Sequence, residues 1–261
     1  MLTEFKIKTL MKKLLLFATL LAFASCSNDD NTQNDPINEP QPVIMKNKLK
    51  SHMMKSSFGT LFDFKYEYND LGYVSKVIST FPHGTETYTY SYQGNKLMTI
   101  DHDRGGDDYF STFTYEGELI VQELINNDWG DVLVNYSYNS DGELIRATKS
   151  TLDEEFPEYN YVFQITDYTY VNHNVESEVS KEYDINRQEI SRSEKYFEYD
   201  NYKHPTTLSF PENFRKIKLE RKNNEITRYI ADYALEIKYN SENYPVMIND
   251  AVRVQNFVYY E

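Results

Sequence analysis

A single cysteine, Cys26, stands among the 261 residues, so no disulfide framework forms within the chain. Basic residues are also scarce: 27 Lys and Arg face 41 Asp and Glu, for a net charge of −14. Binding to nucleic acid needs clustered Lys and Arg, so that class of partner is excluded. The apolar run Leu14 to Phe23 is ten residues long, too short to span a bilayer as a helix. No HxH or HExxH spacing occurs, and His52, His83, His102, His173 and His204 read as scattered among different turns, which excludes a zinc site. GxSxG, P-loop and GxGxxG signatures are missing as well. Glu154 and Glu155 read as ordinary surface, and the chain reads as a non-enzyme.

What is present begins with a leader. "MKKLLLFATLLAFASC" from Met11 has two lysines, an apolar stretch and small residues before Cys26, the order of a secretory signal. Phe23-Ala24-Ser25-Cys26 resembles a bacterial lipobox, in which the cysteine becomes an acylated N-terminus. Residues 1–25 are expected to be the lipoprotein signal peptide, with translation starting at Met11. Removing their net +3 from −14 leaves −17. Residues 26–48 are expected to be the lipidated cysteine and a disordered tether, since "SNDDNTQNDPINEPQPVIMKNK" is polar and aperiodic. Asp29 and Asp30 resemble the surface-export signal of Bacteroidota lipoproteins. The expected address is therefore the outer membrane, lipid-anchored, at the cell surface.

Residues 49–261 carry a repeat. In "TYTYSY", residues 87–92, tyrosines alternate with Thr and Ser, the period of a strand with two unlike faces. Aromatic doublets recur at Tyr66-Tyr68, Tyr90-Tyr92, Phe113-Tyr115 and Tyr136-Tyr138, each followed by a glycine turn. Degenerate copies stand at Tyr168-Tyr170, Phe197-Tyr199 and Ile237-Tyr239, with Asn174, Asn201 and Asn243 near the glycine position. A spacing of 23 residues holds two strands of about eight residues and two turns, a β-hairpin.

The sequence thus predicts an all-β antiparallel meander of about 14–18 strands, curled into a barrel-like or half-barrel sheet because flat sheets rarely exceed ~10 strands. The doublet turns gather at one end. "FPHG", "HDRGGDD", "NNDWGD" and "LDEEFPE" gather at the other, where they read as longer and markedly acidic. Val74, Leu97, Leu119 and Leu144 are expected to fill between tyrosines that are mainly core. Thr, Ser, Lys and Glu opposite the aromatics argue against a membrane-spanning barrel.

The units "YEYNDLGYVSKV" and "YSYNSDGELIRA" resemble YD repeats. With the lipobox, the tether, "FEYDNYKHPTTLSFPENF" and "IKYNSENYPVMI", the chain resembles a Bacteroidota lipoprotein family, a domain of unknown function with a porin-like β fold. The resemblance implies a curled sheet and an envelope location, and brings no catalytic residues.

Two groups of residues are candidates for ligands. Trp129, the one tryptophan, sits in "NDWGD" with Asp128 and Asp131, where an exposed indole can stack on a sugar ring. Asp101, Asp103, Asp107 and Asp108 surround two glycines and offer hard oxygens to Ca²⁺, without EF-hand spacing. The expected role is a binding accessory for glycans or peptides at the acidic end. A structural or interaction subunit docked on another envelope protein is the alternative.

Overall fold

The computed structural model describes residues 44–106, 108–153, 155–218, 223–225, 236–249 and 253–261. Cys26, its leader and most of the tether lie outside these residues, as do Asp107 and Glu154. Among the described residues the chain is all-β apart from short helical pieces. Twelve strands follow in order: β1 (Leu49–Ser56), β2 (Gly59–Tyr68), β3 (Val74–Phe81), β4 (Gly84–Gln93), β5 (Lys96–Asp103), β6 (Tyr109–Glu116), β7 (Leu119–Asn127), β8 (Asp131–Tyr138), β9 (Leu144–Leu152), β10 (Val162–Val171), β11 (Asn174–Tyr183) and β12 (Glu189–Tyr196). After them come β13 (Tyr199–Lys203), a six-residue helix α1 (Glu212–Ile217), β14 (Asn223–Glu225), β15 (Glu236–Tyr239), β16 (Pro245–Asn249) and β17 (Arg253–Tyr259).

Among the described residues, fifteen strands form one antiparallel sheet ordered β12 back to β1, then β17, β16 and β15. Its last strand returns to pair with its first, so β12 and β15 are the margins and the sheet is open.

The doublets work as follows. Tyr90 pairs with Ile100 and Ser91 with Thr99, but Tyr92 pairs with Leu97, leaving Met98 as an extra residue. The same shift occurs before Tyr68, Tyr115, Tyr138, Tyr170 and Tyr239. Such a bulge bends its strand and re-aims the neighbouring side chains. All of these tyrosines but Tyr239 donate the hydroxyl to a carbonyl at the start of the strand before their own. Tyr68 reaches Leu49, Tyr92 reaches Val74, Tyr115 reaches Leu97, Tyr138 reaches Ile120 and Tyr170 reaches Leu144, at 2.6–2.9 Å. Tyr259 repeats the bond to Pro245 at 2.9 Å. The residues whose carbonyls accept are themselves core: Leu49, Val74, Leu97, Ile120 and Leu144 are at most 1% exposed.

The bulge also corrects the expected filling. Leu119 is only partly buried, and Ile120 occupies the place that Leu97 holds one repeat earlier. Beyond the bulge, inward positions fall three and five residues after that aliphatic, as in Leu97, Ile100 and His102. Simple alternation misplaces them. Two of the five histidines are accordingly not turn residues, since His52 lies within β1 and His102 is buried in β5. In the doublet turns, Asn69, Asn139 and Asn240 each accept two backbone N–H groups at 2.9–3.0 Å. Asn243 takes the left-handed position with φ 67°, but Asn172 and His173 do so in place of Asn174, and Asn201 lies in β13. At the acidic end, the connections at 82–83 and 128–130 are as short as those opposite, so only 153–161 is long, with a 3-10 turn at Pro157–Tyr159.

The margins are bridged by a strap. Phe197 N–H donates to the Glu176 carbonyl and Tyr199 to that of Val175, both on β11. A few residues on, Lys203 N–H donates to Asn243, Tyr202 stacks on Tyr239 at 3.9 Å and Tyr239 bonds to Asp200. Laid flat, β11 and β15 would stand roughly 60 Å apart at ~4.8 Å per strand, whereas a five-residue strand spans about 17 Å. The sheet must curl for both contacts to be made. The Phe197-Tyr199 doublet therefore belongs to this strap, and Tyr199 supplies the hydroxyl that the exposed Tyr196 does not.

After the strap, residues 204–218 turn into the concavity. Ser209 accepts from Val74 N–H at 2.9 Å and contacts the Tyr68 hydroxyl at 3.1 Å. Phe214 and Ile217 share one face of α1 at i and i+3, and together with Phe210, just before the helix, they pack on Val74, Val77, Leu97, Ile100, Phe113 and Ile120. Burying each of these side chains is worth about 2–3 kcal/mol. Lys216 lies over the β8–β9 turn, where a Cβ on Gly142 would meet its Nζ at 3.2 Å. The tyrosines of the doublets pack around this plug, as expected of core residues.

Tyr92→Phe and Tyr138→Phe each delete one hydroxyl-to-carbonyl bond and leave a carbonyl without that partner, so each is expected to cost about 1–2 kcal/mol. Urea denaturation checks this, and unchanged stability in both variants would refute the role given to the hydroxyls.

His52 stacks on Phe257 at 4.3 Å and meets Gln255 at 3.0 Å. Burial pushes its imidazole down to about 4, against the opposing pull of Gln255 and Asp63. The unfolded chain takes up that proton first, near 6.5. Stability is therefore whole above pH 6.5 and falls toward pH 4. Between pH 7 and pH 4 the native chain should lose about 3 kcal/mol more than His52→Phe. Equal losses in paired urea titrations would refute it.

Candidate functional site

Toward the acidic end, the inner face changes from apolar to polar. Glu86 shares the parity of Tyr88, Tyr90 and Tyr92 on β4, and His102 is inward by the bulge rule, so strand geometry brings them together. His102 is 2% exposed. Tyr88 stacks flat on its ring at 3.9 Å and 11°, and Tyr109 meets it edge-on at 4.4 Å. Its Nε2 lies 3.2 Å from one oxygen of Glu86, and Arg104 Nε donates to the other at 3.1 Å. Burial works against the Glu86 carboxylate, but the bonds from His102 and Arg104 outweigh it and hold the carboxyl below the usual range. Burial likewise lowers His102, more than Glu86 raises it. A neutral imidazole beside a carboxylate carries its proton on Nε2, which leaves Nδ1 as an acceptor, and this atom finds no partner among the described residues.

One row further along, Glu123 is 4% exposed and accepts from the Tyr136 hydroxyl at 2.6 Å. Burial, reinforced by Glu123, pushes that hydroxyl well above its ordinary range, so it remains a donor. Burial also raises Tyr109, with Glu123 adding to it, and raises Tyr88 to about 12.

Above this layer, the β5–β6 and β7–β8 connections are neighbours at one end of a meander and bound a cleft of about 260 Å³. Tyr109, Ile125 and Asn127 line it from the strands, and Arg104, Asp108, Asp128 and Trp129 line it from the connections. Asn127 Oδ1 accepts Trp129 N–H at 2.8 Å, and Gly130 closes the turn at φ 124°, a conformation other residues adopt only with strain. The turn holds the indole out, 88% exposed. An aromatic plane, two carboxylates, an amide and a guanidinium thus converge on one open recess. It is smaller than the ~300–1,000 Å³ of pockets that engulf drug-sized ligands, and suits the end or edge of a larger ligand.

The sequence-predicted residues separate here. Trp129 and Asp128 meet at the cleft, joined by Asp108 from the proposed cation loop. Asp131 opens β8 opposite Leu152 and does not line the cleft. Asp101 and Asp103 belong to β5 rather than to a loop. Asp103 accepts from Gly105 N–H and Asp108 from Arg104 N–H, both at 2.9 Å, so these carboxylates fasten the loop's own backbone. Among the described residues, no group of three or more His, Cys, Asp or Glu is placed to hold a metal. Asp107 lies outside them. Sequence reading missed Glu86, His102 and Glu123. Glu86 was accessible from its parity with the tyrosines; the other two needed the bulge.

Neither a protein-family model nor a curated protein matches the chain. Solved structures similar to it include a porin-like protein from Bacteroides uniformis, 12% identical over 85% of this chain and 100% of that one, with a TM-score of 0.48. A porin-like protein from Bacteroides vulgatus is 13% identical over 82% and 98%, with a TM-score of 0.33. A DUF3836 family protein from Parabacteroides distasonis is 12% identical over 51% and 94%, with a TM-score of 0.25.

Trp129 is the sole tryptophan, so emission reports this one site. Acrylamide should quench it almost as fully as free indole; a strongly shielded signal would contradict the open cleft.

Proposed function

We propose that this chain is an envelope lipoprotein, held to the outer membrane through acylated Cys26, that captures glycan at the cleft beneath Trp129. The observation that carries the reading is the convergence of an exposed indole with Asp128, Asn127, Asp108 and Arg104 around one recess. A sugar ring offers C–H bonds to an aromatic face and hydroxyls to carboxylate, amide and guanidinium groups. The polarity of the sheet supports it. Leu49, where the described strands begin, is tied to Tyr68 at the doublet end, so the tether enters opposite the cleft. A tether of some twenty residues reaches roughly 60–70 Å when extended.

The role is capture rather than catalysis. His102, the group best suited to proton transfer, is covered by Tyr88 and Tyr109 and engaged with Glu86, out of reach of a ligand in the cleft.

A glycan array probed with the full chain tests the reading. Binding is expected, with affinity reduced about tenfold or more by Trp129→Ala, equivalent to about 1.4 kcal/mol of stacking. An array without hits, or hits that ignore the substitution, would sink it; specific co-purification with an envelope protein in their place would favour a docking subunit.

A further inference from the structure

β12 is a margin of the sheet, and all eight of its residues are exposed. Its inner neighbour β11 pairs with it along nearly its full length, from Ser177 opposite Tyr196 to Tyr183 opposite Glu189. Its other side has no strand bonded to it among the described residues. Open strand edges recruit further strands, and proteins commonly guard them with charge. This edge carries charge of a particular kind. Glu189, Arg192, Glu194 and Lys195 sum to zero in a chain whose total is −14, so the strip lacks the repulsion that opposes self-association elsewhere.

The order of the residues matters more. Arg192, Glu194 and Tyr196 share one face by the period of two, while Ile190 is the extra residue of a bulge between Glu189 and Ser191. Ile190 and Tyr196 are each 65% exposed, large apolar groups with little cover. Arg192 is held against Glu194 of its own strand, with Nη2 at 2.6 Å, and Tyr196 contacts the same carboxylate at 3.4 Å.

We propose that β12 pairs edge to edge with β12 of a second copy of this chain, antiparallel about a two-fold axis through Ser193. In that register Arg192 faces Glu194 of the second copy, twice by symmetry. On the other face Ser191 meets Lys195 of the second copy. A two-fold axis normal to the sheet preserves its faces, so the register can slip only in steps of two residues. One step either way sets Arg192 against its own copy or Glu194 against its own copy, which like-charge repulsion disfavours. The charge order therefore selects a single alignment. Among the described residues the opposite margin, β15, shows four residues, and they lack this symmetry. This inference is independent of the cleft.

The test uses the full chain in analytical ultracentrifugation. The native protein is expected to double its mass with rising concentration. Arg192→Glu and Glu194→Arg each place like charges in both cross-copy pairs, and each should weaken self-association at least tenfold. Mixed in equal amounts, the two variants regain opposite charges at both positions and should form a heterodimer, which also shows that each variant is folded. A native chain that stays monomeric at high concentration overturns the proposal. So does self-association that survives in both single variants, or a mixture that fails to pair.

Discussion

The bond from a tyrosine hydroxyl to the carbonyl opening the preceding strand is the constraint on which the architecture rests. It recurs at Tyr68, Tyr92, Tyr115, Tyr138, Tyr170 and Tyr259 with little change in length. A strand ladder fixes neighbours along the backbone but leaves the sheet's coiling soft. A side chain reaching inward and across from one strand to the next ties that coiling to a fixed reach. Phenylalanine can fill the same volume but cannot make the tie, which gives a physical reason for tyrosine at the second place of each doublet, while the first tolerates Phe113. The bulge before each tyrosine is part of the same device, since without the extra residue the hydroxyl would be aimed along the sheet rather than across it.

Two consequences run from that tie to the site. The doublet tyrosines pack around the plug of Phe210, Phe214 and Ile217 in one apolar cluster. The bulge also resets the inward parity of each return strand and so carries His102 and Glu123 into the interior. There they must be paired to be tolerated, and Glu86, Arg104 and Tyr136 pair them. The polar layer is thus a by-product of the geometry that closes the other end, and it forms the floor on which the Trp129 recess sits.

Much of this was legible in the residues. Period-2 alternation with evenly spaced turns gave the hairpins and the two ends, and the strand total fell within the expected range. What escaped depended on single-residue offsets or long-range closure. Leu119 and Ile120 are both aliphatic, so nothing local shows which one faces inward until the bulge is known. α1 is six residues that follow closely on Pro205 and Pro211, too short to display a pattern of its own. The strap doublet Phe197-Tyr199 looks like a strand copy because it keeps the chemistry of one while leaving the sheet. At the cleft, Trp129 and Asp128 were readable from composition alone. Asp131, Asp101 and Asp103 were not separable from them, because one position along a strand decides whether a carboxylate enters a recess or lies along an edge.

The strap has a consequence for how such a wall tolerates change in girth. In a closed barrel, strand number, tilt and stagger must agree all the way round, so adding a hairpin forces every other strand to readjust. Here the seam is spanned by a short length of chain anchored at Val175 on one bank and Asn243 on the other. It works as an expansion joint: a duplicated or deleted hairpin alters the width of the gap, and the cross-tie alone has to accommodate the difference.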